Sequence, residues 1–126
     1  MWMRMGALFI MFMLSQMSYA QLSHYVDANG TNPVPPYTAW NTAAQTMQAA
    51  VNVAAGGDAI LITAGVYVVS SPVTVTNAVT ISGVGGRETV VVDAQEQCSV
   101  FWVTNAGTRI EGLTIMRGGG GGEGVY

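Results

Sequence analysis

Val75-Thr76-Asn77-Ala78-Val79-Thr80-Ile81-Ser82-Gly83 returns further along the chain as Val103-Thr104-Asn105-Ala106-Gly107-Thr108-Arg109-Ile110-Glu111-Gly112. The second copy carries one extra residue, so Asn77 aligns with Asn105 at a step of 28 and Ile81 with Ile110 at a step of 29. A step of 21 separates Ile60 from Ile81. Short β-branched runs that recur about every 20 to 30 residues read as stacked strands, because one such strand cannot bury its apolar face without the next.

The surrounding sequence agrees. Ala59–Thr63, Val66–Val69, Val73–Thr76, Val79–Ser82, Thr89–Val92, Val100–Thr104 and Arg109–Ile115 are short runs rich in Val, Ile and Thr. They are separated by Gly, Asn, Pro and Ala breaks, such as Ser71-Pro72 and Gly83 to Gly86. Many short strands with frequent turn signals predict an all-β fold. Stacking them into parallel ladders puts Ile60, Ile62, Val79, Thr80, Ile110, Leu113 and Ile115 on the ladders, with Thr63, Thr74, Thr76, Thr80 and Thr104 also suited to outward positions. Parallel crossovers are overwhelmingly right-handed. The predicted architecture is therefore a right-handed parallel β-helix, a β-solenoid of about three coils over residues 58–126.

Upstream, residues 40–55 read as a helix that runs to the Gly56-Gly57 stop, giving a unit at 40–57. Trp40, Ala44, Met47, Val51 and Ala54 recur at steps of three and four, which sets them on one face. Asn41 or Thr42 is the expected N-cap, and Gly56-Gly57 the C-cap pair. That apolar face suits the open end of the first coil, which must be covered. Residues 21–39 contain a short strand signal at His24–Val26 and then loop chemistry, with Asn29-Gly30 and three prolines.

Residues 1–20 read as a secretory signal peptide. Arg4 is the positive region, Met5–Leu14 the apolar stretch, and Ser18-Tyr19-Ala20 the small-residue cleavage site. The apolar stretch is too short to span a bilayer, which takes about 20 residues. The mature chain is expected to start at Gln21, to be secreted or on the cell surface, and not to span a membrane.

Charge is sparse. Four Arg and no Lys stand against seven acidic residues in the whole chain, and without Arg4 the mature part has a formal charge of −4. Clustered basic residues, which phosphate neutralisation needs, are missing, so nucleic acid is not the expected partner. An anionic membrane surface is equally disfavoured. Cys98 is the single cysteine and lies in an apolar run, where it reads as a small core hydrophobe.

Tyr25-Val26-Asp27-Ala28-Asn29-Gly30, Trp40, Met47-Gln48-Ala49-Ala50-Val51, Ala54-Ala55-Gly56-Gly57-Asp58, Ile60-Leu61-Ile62 and Gly65-Val66-Tyr67 together resemble the opening segment of pectate-lyase-like right-handed β-helix proteins. The resemblance spans residues 25 to about 118. It implies a capping helix, a Gly-Asp turn, a first strand and a Gly-x-Tyr turn. The fold hosts pectate lyases, polygalacturonases and many surface or adhesive proteins, so it does not by itself choose a function. The paired Asp residues of the polygalacturonase type are missing, as is an acidic calcium cluster beside an Arg base. No catalytic, cofactor or metal position carries over.

The remaining motifs have plain readings. Asp27-Ala28-Asn29-Gly30 reads as an Asx turn, since a calcium loop needs further acidic ligands. Asn29-Gly30-Thr31 is a formal glycosylation sequon. Gly118–Gly122 lacks the Lys and following helix of a phosphate loop and reads as a wide turn. His24 is the only histidine and reads as outside any catalytic arrangement. Arg109 and Glu111 alternate onto one outward face. Phe101 and Trp102 are adjacent, so one of them faces out. Trp102, Arg109 and Glu111 are the candidate contacts for a polysaccharide or cell-surface glycan. The plainer readings are core or turn packing for Trp102 and a solvated ion pair for the other two.

The expected function is a secreted or cell-surface structural or adhesive module with glycan binding and no catalytic site or cofactor. The alternative is the non-catalytic N-terminal portion of a polysaccharide lyase or glycoside hydrolase. The sequence stops after a Gly-rich run with no capping segment. The coils are therefore expected to be incomplete there, and an isolated fragment to self-associate through its bare strand edges.

Overall fold

A computed structural model describes residues 20–119. Residues 1–19 of the leader and residues 120–126 lie outside this range. Nine short strands, one 3₁₀ turn at Trp40–Thr42 and one α-helix make up the described chain. The strands are β1 (Ser23–Val26), β2 (Ala59–Ile62), β3 (Gly65–Val68), β4 (Val73–Val75), β5 (Thr80–Gly83), β6 (Val90–Asp93), β7 (Phe101–Val103), β8 (Arg109–Glu111) and β9 (Thr114–Met116). The helix, α1, is Met47–Val53.

The strands form three sheets, ordered β1-β2-β5-β8, β3-β6-β9 and β4-β7. All strand pairs are parallel. From β2 onward, successive strands enter the first, second and third sheet in turn, and that order then repeats. The described chain is thus mostly parallel β-structure with one helix.

The repeat in the sequence is the register of the sheets. Ile60 pairs with Ile81, Ile81 with Ile110, and Val75 with Val103. Ile60, Ile62, Ile81, Val75, Val92 and Phe101 are fully buried and share one core. Each such side chain contributes about 1.5–3 kcal/mol by leaving water. The strands alternate as the pleat requires, and Thr74 faces out between buried Val73 and Val75.

The repeated Asn and Gly have separate jobs. Asn77 Nδ2 donates to Ala54 O at 3.0 Å, and Asn105 Nδ2 donates to Thr76 O at 3.4 Å. Each asparagine ties its own turn to the preceding one. Gly83 and Gly112 meet backbone to backbone, and a Cβ on Gly83 would lie 2.0 Å from Gly112 O.

The helix is shorter than the predicted 40–55. Trp40–Thr42 forms a separate 3₁₀ turn, and Ala43–Thr46 is not helical. The edge of β1 explains the difference. Tyr25 O and Asp27 N need partners, and Ala44 supplies both at 2.8 Å. Thr46 then becomes the N-cap, its Oγ1 accepting from Ala49 N at 3.2 Å, in place of Asn41 or Thr42. At the other end Ala54 is already extended, so Gly56-Gly57 belongs to the following turn. Met47 and Val51 face the core as the periodicity predicts, and Ala50 is buried beside them. Trp40 does not: it is 43% exposed and packs edge-on against the Tyr25 ring, with centroids 4.5 Å apart.

Candidate functional site

Trp102 occupies the middle of β7, where alternation forces neighbours to opposite faces. Phe101 is fully buried and Trp102 is 56% exposed. Across the ladder Trp102 faces Thr74 of β4, which is also exposed. The outer face of the β4–β7 sheet therefore presents an indole above a threonine.

Arg109 and Glu111 project from β8 on the first sheet. Arg109 Nε lies 2.8 Å from Glu111 Oε2, and both side chains are open to solvent. Ser82 Oγ donates to Glu111 Oε1 at 3.3 Å. The outward pairing read from the sequence is present. Trp102 belongs to a different sheet from these two residues, and no hydrogen bond joins it to them among the described residues. The three candidates thus form two separate patches.

A groove of about 200 Å³ opens between the start of α1 and the β3–β4 connection. Thr46, Met47, Gln48, Val68, Ser70 and Ser71 line it, and no charged side chain does. It offers hydroxyls, an amide and apolar surface, and no acid or base.

The most developed polar arrangement involves a residue that sequence reasoning set aside. His24 is 1% exposed within β1. Its Nε2 lies 2.8 Å from Asp58 Oδ2 and its Nδ1 lies 2.7 Å from Pro36 O. Asp58 also accepts from Leu22 N at 3.1 Å and from Ala55 N at 3.0 Å. The hydrogen bond from His24 leads in holding the Asp58 carboxyl below its ordinary range; burial opposes it, and the Ala55 and Leu22 amides add to the lowering. The signal for Asp58 was the Gly-Gly-Asp turn. Nothing local pointed to His24, since the contact spans 34 positions.

A second carboxylate is held at the far end. Arg117 grips Asp93 through both Nε and Nη2, and Gln95 N donates to Asp93 at 2.9 Å. The Arg117 contact, and then the Gln95 amide, draw Asp93 below the usual carboxylate range, while Asp93 raises Arg117. Gln95, Glu96 and Arg117 all adopt left-handed backbone here, and Glu96 N donates to Arg117 O at 2.7 Å. Tyr67 closes the start of the second sheet. Its buried hydroxyl donates to Thr63 O at 2.8 Å, and burial pushes its ionisation upward.

Asp27 accepts from Asn29 N at 2.9 Å, as an Asx turn requires. Cys98 is buried. Among the described residues, no group of three or more His, Cys, Asp or Glu side chains could hold a metal ion. No described helix is long and apolar enough to cross a membrane.

Compared with known proteins, the chain matches no family model, no curated protein and no solved structure.

Proposed function

We propose that the three sheets are the walls of a right-handed parallel β-helix, and that the protein is an exported structural or adhesive module. The observation that supports the coil is the strand order: three sheets visited in strict rotation, every pair parallel. A chain that visits three sheets in rotation traces turns about one axis, and parallel crossovers are right-handed with few exceptions. The helix α1 and the loop before it then cover the first turn. The resemblance of residues 25–118 to the opening of pectate-lyase-like proteins supports the same reading. Export is read from the leader at residues 1–20.

On this reading the outer faces meet polysaccharide or cell-surface glycan. Trp102 stacks on a sugar ring, which an exposed indole can do at low entropic cost, with Thr74 beside it. Arg109 and Glu111 offer hydrogen bonds to hydroxyls on the neighbouring face. The test is binding of the exported protein to immobilised plant and bacterial polysaccharides, with Trp102→Ala and Arg109→Ala/Glu111→Ala as comparisons. Retention that falls tenfold or more in Trp102→Ala supports the reading. Equal retention of all variants, or none by the wild type, removes the glycan role and leaves a purely structural module.

A further inference from the structure

We infer that the ligand of the Trp102 face is an uncharged polysaccharide, laid along the ladder from Trp102 across Thr74 to Gln48 and into the groove beyond. The inference rests on the glycan reading of Trp102 and names the class of sugar that this face takes.

The row is built rung by rung. Trp102 on β7 lies in register beside Thr74 on β4, and neighbouring strands stand about 4.8 Å apart. Gln48 fills the place of the next strand, with its amide bonded to Thr74 N and Thr74 O. Gln48 also lines the groove of about 200 Å³, where Ser70 and Ser71 are exposed. The indole therefore leads into the concave part of the surface. The hydrogen bonds at Thr74 and Thr76 run through their backbones, so both exposed hydroxyls are left for a ligand. Asn52 accepts from Gln48 Nε2 on its Oδ1 at 2.9 Å and keeps its own amide protons for the same use.

Charge selects among sugars here. From Thr46 to Ala54, from Val69 to Thr80 and from Cys98 to Thr108 the sequence holds no Asp, Glu, Lys, Arg or His. These stretches contain α1, β4 and β7 with the turns beside them. Arg109 and Glu111 belong to the first sheet and pair with each other. Arg117 follows the last strand of the second sheet and grips Asp93. No cation of α1, β4 or β7 is there to meet the carboxylate of a sugar acid, and no carboxylate to bridge it through a metal ion or to meet a cationic sugar. The formal charge of −4 expected for the mature chain repels acidic glycans further. An uncharged sugar has what it needs: hydroxyls and an amide for its hydroxyls, and an indole for its apolar face.

The experiment uses the whole exported chain, labelled with ¹⁵N. The Trp102 indole and Thr74 amide signals are followed as hexaoses of glucose, xylose and mannose are added, with hexagalacturonate as the acidic counterpart. At least one uncharged hexaose should shift both signals, and its Kd should stay within about twofold between low salt and about 0.5 M salt, since there is no charge to screen. Hexagalacturonate should bind about tenfold more weakly or not at all. Thr74→Ala/Asn52→Ala, at two exposed positions, should weaken the uncharged sugar severalfold, while Arg109→Ala/Glu111→Ala should leave it unchanged. Hexagalacturonate that binds as tightly, or affinity that falls with salt, overturns the uncharged class and leaves the glycan reading standing. Binding that is lost in Arg109→Ala/Glu111→Ala, or that shifts only signals outside this row, overturns the placement. Trp102 and Thr74 signals that ignore all the sugars remove the glycan reading and this inference together.

Discussion

The side-chain amide of Gln48 pairs with both backbone groups of Thr74. Its Oε1 accepts from Thr74 N at 2.8 Å and its Nε2 donates to Thr74 O at 3.2 Å. Strand β4 is an edge, with β7 on its other side. Gln48 thus stands in for one residue of a missing strand, and it does so from the exposed flank of α1. An open edge is an invitation to unwanted pairing, and here a single side chain blunts it.

Gln48→Ala should destabilise the protein by about 1–3 kcal/mol, since two backbone groups lose partners. Gln48→Glu should also destabilise: it keeps the acceptor for Thr74 N, but it loses the Nε2 donor to both Thr74 O and Asn52 Oδ1 and sets a carboxylate oxygen against the Thr74 carbonyl. Urea midpoints measure both, and the Thr74 amide should exchange faster in Gln48→Ala. Midpoints equal to wild type would mean that water serves Thr74 as well as Gln48 does.

Phe101 and Trp102 offer a comparison one residue apart. Phe101→Ala should cost about 3–5 kcal/mol, since a fully buried ring leaves a cavity in the shared core. Trp102→Ala should shift stability by about 0.5 kcal/mol or less, as expected for an exposed side chain away from the core. Comparable losses in thermal unfolding would show that the indole packs where the structure leaves it in solvent.

Gly83→Ala should be destabilising by about 1–3 kcal/mol, as overpacking commonly is. Its new methyl would meet the backbone oxygen of Gly112, which cannot rotate away. Gly56→Ala is the control, because a Cβ there has nothing within 4 Å. Chemical denaturation should separate the two variants, with Gly56→Ala close to wild type.

Acid should weaken the protein through Asp58. Its folded ionisation lies below the ordinary range, so its contribution is present above the unfolded value of about 3.9 and is lost as pH falls through the lowered one. Stability measured from pH 6 down to 2 should decline, and Asp58→Asn should flatten part of that decline. Asp93, lowered by Arg117, should account for a remaining slope that Arg117→Ala reduces. An unchanged acid limb in Asp58→Asn would assign the decline elsewhere.

The strand pairing was legible because its signal is periodic. Ile60, Ile81 and Ile110 announce their register by the steps between them, and the repeated Asn and Gly mark the turns. The adjacency of Phe101 and Trp102 shows that one of them faces out, but not which: packing in the core or a turn is the plainer reading for Trp102, and the structure buries Phe101 instead. The helix start was not legible, because Ala44 has good helical spacing and is diverted by the unpaired edge of β1. Trp40 was misplaced for the same reason. The His24–Asp58 contact left no local trace at all: it joins two isolated polar residues across the whole loop and helix, and burial that creates it is a property of the assembled layers.

Every strand in the three sheets pairs with one 21 to 36 positions away, from Ala59 with Thr80 to Ser23 with Ala59. Loop closure costs grow only slowly with length, so these pairings carry nearly equal entropic penalties. Among the described residues no strand pairing waits for a distant part of the chain. Order can then spread by elongation, each strand docking on an edge already laid down, once a first layer has nucleated. The layer best equipped to nucleate is the earliest one, where α1, the Ala44 bridge and the Asp58 turn all converge on β1. A chain delivered N-terminus first presents that layer before the rest, so assembly and delivery run in the same direction.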